Sequence, residues 1–203
     1  MVVRRKRAGR GVRDEYADHP EGADGWYRDH GNEYANPHEP AVAAALSFAV
    51  ATWPGVFAGP ILDFCCGSGE VTRSLLGLGY GLPTITACDP YTGEAYARRC
   101  GNDALQFSFG DIADGALAAR SFSAVVCSYA LHLCEESRLA HVCWALRDIT
   151  SNLVVITPHK RPEIRPSFGW DLDAEHRDGF HRTRLRLYSA SKAPLAFGHA
   201  AHQ

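Results

Sequence analysis

One stretch limits what this chain can become: Ile61-Leu62-Asp63-Phe64-Cys65-Cys66-Gly67-Ser68-Gly69-Glu70-Val71-Thr72. It opens as an apolar run suited to a buried strand and breaks at Gly67. It resumes at Val71, Leu75 and Leu76 with the spacing of a helix face. Strand, glycine turn, helix is the layout in which an α/β sheet receives a nucleotide. Glycines let backbone N–H groups approach the ligand, and the helix N-terminus adds partial positive charge. Two glycines alone also mark many ordinary turns, so the neighbouring sequence has to decide.

That sequence alternates regularly. A helix over 38–52, almost wholly apolar and ended by Pro54-Gly55, precedes a strand over 61–66. Then come a helix over 69–78, a strand over 84–88, a helix over 92–100 stopped by Gly101, and a strand over 104–109. A short turn or helix over 112–117 leads to a strand over 122–128, a helix over 135–150 and a strand over 153–157. In the 135–150 helix, Leu139, Val142, Cys143, Leu146 and Ile149 share one face. Two late strands, at 168–172 and 182–190, have no helix between them and predict an antiparallel edge. The expected architecture is a three-layer α/β sandwich of Rossmann-like form, its seven-strand sheet mostly parallel.

With 203 residues, 46% of them hydrophobic, the chain can bury one sizeable core. A net charge of −2 singles out no partner, but its distribution is uneven. Six basic residues from Arg4 to Arg13 precede the acids Asp14, Glu15, Asp18, Glu21 and Asp24. Residues 1–25 therefore read as a solvated, disordered tail, which can also carry a nuclear or organellar address or a nucleic-acid-binding arm. Residues 26–190 read as the domain and 191–203 as a second loose tail. No apolar run follows the basic one, and none reaches about 18 residues, so neither a secretory signal nor a membrane span is expected. Seven cysteines, mostly in apolar runs, suit reduced thiols in an intracellular, plausibly cytoplasmic, protein. His132-Leu-Cys134 and His141-Val-Cys143 offer zinc-ligand types. The second pair falls in a helix, where positions i and i+2 point about 200° apart and do not chelate together.

In such a sheet the ligand lies beyond the carboxyl ends of the strands. The residues there are Gly67 and Gly69, then Asp89-Pro90, then Gly110-Asp111-Ile112, then Cys127-Ser128-Tyr129. Asp89 stands twenty residues past Gly69, the spacing of a carboxylate that accepts both ribose hydroxyls. Asp111 is placed to accept from an adenine amino group. With these motifs in order, the chain resembles the class I S-adenosylmethionine-dependent methyltransferases over about residues 38–157. That family's first motif is an acid followed by alternating glycines, which here reads Asp63-Phe-Cys65-Cys-Gly67-Ser-Gly69 with Cys65 where glycine is commonest. The resemblance implies S-adenosylmethionine as cofactor. It gives Asp63 to the amino-acid end, Asp89 to the ribose, Pro90 and Ile112 to the faces of the adenine and Asp111 to its amino group. It also places Cys65 and Cys127 in the cofactor's walls. A nicotinamide-dependent enzyme would need glycine at Thr72.

The segment after the fourth strand bears on the acceptor. Family members that methylate exocyclic amines often carry Asn/Asp-Pro-Pro-Tyr/Phe there, and this chain has Cys127-Ser128-Tyr129-Ala130. The resemblance thus favours a small-molecule oxygen, carbon or sulfur nucleophile. A protein or RNA acceptor is the alternative, with Lys160, Arg161 and Arg165 available to phosphate. A non-catalytic, cofactor-binding partner subunit is a third reading. His132, His159 and His38 are the candidate bases, needed only for a protonated acceptor. Residues 26–40 (WYRDHGNEYANPHEP) are too aromatic for a linker and too polar for core, so they are expected to form a lid, with Tyr34 over the cofactor.

Overall fold

The structure, a computed structural model that describes residues 12–191, realises the alternation. Its order is α1 (Val12–Ala17), α2 (Gly22–His30), α3 (Glu39–Thr52), β1 (Ile61–Phe64), α4 (Glu70–Gly77), β2 (Ile85–Cys88) and α5 (Gly93–Cys100). There follow α6 (Phe109–Ala113), β3 (Ala124–Ser128), α7 (Glu136–Ile149), β4 (Asn152–Thr157), β5 (Trp170–Asp178) and β6 (Thr183–Ala190). The sheet order is β2-β1-β3-β4-β6-β5. The first four strands are parallel, β6 adds antiparallel to β4, and β5 adds antiparallel to β6.

Strand alternation distributes the core onto two faces. Leu62 and Phe64 of β1 point, with Val125 and Cys127 of β3, into a cluster completed by Ile112 of α6 and Leu139, Val142 and Leu146 of α7. Ile61 and Val126 point the other way, onto Val42, Leu46 and Ala49 of α3 and Val71 and Leu75 of α4. The α3 sequence suits its place. It is rich in alanine, the best helix former, and Pro40 stands in its first turn, where no N–H is needed. Trp170 locks the antiparallel edge to the helical layer, fully buried and donating from Nε1 to the Cys143 carbonyl at 2.8 Å.

Several expectations differ. The strand expected over 168–172 runs as β5 from Trp170 to Asp178, and the element expected over 112–117 forms earlier, as α6. The strand over 104–109 is a single bridge, Leu105 beside Cys88, so the sheet of the described residues has six strands. Leu105 N–H donates to Ala87 O and its carbonyl accepts Asp89 N–H, but Ser108 then caps α6 and the ladder ends. The tail drawn to residue 25 is also revised. Helices α1 and α2 occupy most of 12–30, with Trp26 buried and the Tyr16 ring 6.4 Å from that of Tyr27. Charge counted along the chain hid these aromatic positions. The rest of the two expected tails, 1–11 and 192–203, lies outside the described residues. Among those described, no helix is long and apolar enough to cross a membrane.

Candidate active site

A cavity of about 310 Å³ opens where β1, β2 and β3 end. Its floor is the glycine turn. Gly67 (φ +55°) and Gly69 (φ +92°) hold left-handed backbone, and a Cβ on Gly67 would stand 3.1 Å from Glu70 Oε2 and 3.2 Å from the Tyr34 ring. The space kept clear by Gly67 is therefore part of the cavity. Cys65 lines the floor with φ +57°, a conformation that a side chain adopts only at some cost. The neighbouring Cys127 thiol and burial together push its pKa up.

Asp89 forms the next wall. One carboxylate oxygen accepts the N–H groups of Tyr91 (2.9 Å) and Thr92 (3.0 Å), and the other accepts Gly67 N–H at 3.3 Å. Burial raises its pKa while these backbone donors oppose the rise. Asp89 thereby ties the end of β2 to the glycine turn and still borders the cavity, beside Pro90.

Asp63 does not line the cavity. It is fully buried beneath the turn, and its Oδ2 accepts Thr72 N–H (3.0 Å) and Thr72 Oγ1–H (2.7 Å), fixing α4 to β1. Its Oδ1 is buried without a partner, and burial pushes the carboxyl up to about 8. Gly69 likewise acts behind the cavity as the N-cap of α4. Glu70, also buried, accepts from Ser68 Oγ and from Arg99 Nη1 at 2.7 Å. Arg99 in turn reaches Glu39 at 2.7 Å, and Glu39 accepts Arg73 at 2.7 Å, so α3, α4 and α5 share one charge network.

Residues of the 26–40 segment stand over this floor. Tyr27 and Tyr34 meet edge to face at 5.4 Å, their hydroxyls hydrogen-bonded, and both line the cavity with Asn36. Burial raises both phenols, Tyr27 to about 12. Arg98 donates to the Asn32 carbonyl, and Gly31 packs directly on the Tyr91 carbonyl, where any Cβ would collide.

The far wall departs from expectation. Phe107, Ser108, Phe109 and Gly110 line the cavity, and Asp111 and Ile112 do not. Asp111 turns back to Ser108, accepting its N–H (2.8 Å) and its hydroxyl (2.6 Å), which lowers the carboxyl's pKa. Ile112 is core, and Cys127, fully buried, stands behind the Cys65 floor. The three histidines also stand back from the cavity. His132 and His159 face one another with ring centres 5.3 Å apart. His38 stacks at 4.7 Å and 12° on Tyr129, which does line it. Tyr129 holds φ +54°, and its hydroxyl meets Thr183 Oγ1 at 2.7 Å. Arg138, Glu135 and Leu133 complete this wall. Tyr129 stood in the segment read past the fourth strand, but Glu70 and Arg138 carried no sequence signal as site residues, since an acid or a base in a helix's first turn is commonplace.

Comparisons with known proteins agree with this geometry. Residues 61–151, from β1 to the end of α7, match the family described as Methyltransferase domain. An uncharacterised protein of Schizosaccharomyces pombe is 33% identical over 79% of each chain. Among solved structures, the PH0226 protein of Pyrococcus horikoshii overlays with a TM-score of 0.59 at 14% identity, covering 89% of this chain and all of that one. The CcbJ methyltransferase of Streptomyces caelestis gives 0.57 at 14%, covering 89% and 96%. The magnesium protoporphyrin IX methyltransferase of Synechocystis, solved with bound S-adenosylmethionine, gives 0.55 at 18%, covering 89% and 95%. Fold and motif together define a methyltransferase. Residues 61–151 are a methyltransferase domain, carried on the class I Rossmann-like fold of the S-adenosylmethionine-dependent methyltransferases.

Proposed function

We propose that this enzyme moves the methyl group of S-adenosylmethionine to an oxygen, carbon or sulfur nucleophile of a small molecule. The cofactor supplies a methyl already activated on a sulfonium. Asp89 is assigned to the ribose, Cys65 and Gly67 to the methionine portion, and Tyr34 to the cover that excludes water. The observation that carries the acceptor reading is the state of Tyr129. After β3 there is no amide or acid followed by paired prolines, and the tyrosine found there is spent on Thr183 and His38. The means of holding an exocyclic amine are therefore missing.

Among the described residues no imidazole lines the cavity, which favours an acceptor that arrives ionised, such as a thiolate or an acidic phenol, or an electron-rich carbon. The protein's share is alignment and desolvation, which reach several kcal/mol in well-oriented systems. The test is incubation with methyl-labelled S-adenosylmethionine and separate thiol, phenol, enol and amine panels. Label in methyl thioethers, ethers or carbon products supports the reading. Label confined to amines, protein or RNA would replace it.

A further inference from the structure

We infer that Arg138, in the first turn of α7, reads the polar edge of the cofactor's adenine in place of Asp111. This rests on the cofactor assignment above. The wall that the family resemblance gives to adenine follows the third strand position, and in this chain it is built by residues 107–110. One oxygen of the carboxylate expected there, Oδ2, is engaged elsewhere. Asp111 takes both the N–H and the hydroxyl of Ser108 in a reciprocal cap, is exposed, and does not border the cavity. A partner three residues away in the same turn is present with or without ligand.

Arg138 fills the gap. Its Nη1 lies 2.6 Å from where a Cβ on Gly110 would stand, so the guanidinium occupies space that exists because residue 110 is glycine. Both residues border the cavity. Among the described residues no side-chain hydrogen bond or ion pair holds the guanidinium, although Glu135 shares the wall, so its N–H donors are open to a ligand. A guanidinium offers adenine the opposite of what a carboxylate offers. It donates to ring nitrogens and presents a flat face, whereas a carboxylate accepts from the amino group.

The reversal gives a sharp test with S-adenosylhomocysteine and its inosine analogue, in which an oxygen replaces the amino group. The analogue presents O6 and N7 as adjacent acceptors, the pair that arginine grips in guanine, while a carboxylate reader loses its donor. Calorimetry on the ligand-free full chain comes first with S-adenosylhomocysteine, and no binding there would overturn the cofactor assignment itself. With binding established, the inosine analogue is expected to bind at least as tightly. Arg138→Met should weaken both ligands by about tenfold or more, the analogue most. Asp111→Asn should change neither by more than about threefold, and unliganded Arg138→Met should melt like the parent. An analogue about tenfold weaker in the parent, with that difference erased by Asp111→Asn, would return the role to Asp111. Unchanged affinities in Arg138→Met would equally overturn the inference.

Discussion

The floor of the cavity and its far wall are held by different kinds of bond. At the floor, Asp89 accepts three backbone N–H groups and Asp63 accepts the N–H and hydroxyl of Thr72. These carboxylates join β1, β2 and α4, so folding itself places them. At the far wall, Asp111 is satisfied within its own short helix and Arg138 is held by packing against Gly110. A side chain used to join separate elements keeps its position whatever the ligand does. One with a local partner three residues away follows that partner.

The contrast is broken most directly at Asp89. Asp89→Ala removes a charged acceptor from the ligand and leaves the Gly67, Tyr91 and Thr92 donors without it. Affinity for S-adenosylhomocysteine should fall by roughly 1.5–3 kcal/mol, with a lower melting temperature. A change of less than about threefold in calorimetry would show that the floor does not hold the ligand.

Asp63 sharpens the contrast through pH. Folded, its carboxyl keeps a proton up to about 8, while the unfolded chain releases it near 4. Between those values the native state binds more protons, so this group's contribution to stability falls as pH rises and levels off above about 8. Asp63→Asn retains an acceptor for Thr72 and cannot ionise. Its stability should gain on the parent's steadily from pH 5 to 8, by on the order of a few kcal/mol. Parallel melting curves across that range would mean that Asp63 is already ionised in the fold.

Tyr34 gives the smallest effect. If residues 26–38 act as a lid, they should open more readily than β1 or β2. Amide exchange over 26–38 should slow when S-adenosylhomocysteine saturates the protein. Tyr34→Ala should weaken binding by roughly 1 kcal/mol and barely alter the unliganded melting temperature. Equal protection with and without ligand would make the segment a fixed strap.

The same division explains what the sequence revealed. Apolar runs and helical patterns placed β1 to β4 and α3, α4, α5 and α7 within a residue or two, because burial on both faces of a parallel sheet leaves little choice; α6 was missed by three or four residues. Gly67 and Asp89 were legible through spacing alone. Asp111 was misplaced because spacing registers its distance from the strand and not the competing hydroxyl of Ser108. The strand over 104–109 shrank to one bridge for the same reason. Tyr129 and His38 come together through tertiary contact, 91 residues apart in the chain, and no local pattern announces such a pair.

Tyr129 also bears on how such an enzyme diversifies. Its strained backbone is fixed from two sides, by His38 in the segment before α3 and by Thr183 at the start of β6. Neither residue borders the cavity, yet each sets the pose of one that does. Substitution at position 183 can therefore retune which acceptors are accepted while the cofactor's contacts stay intact. The antiparallel side of the sheet, away from the glycine turn, becomes a remote dial on selectivity, open to drift without loss of the chemistry.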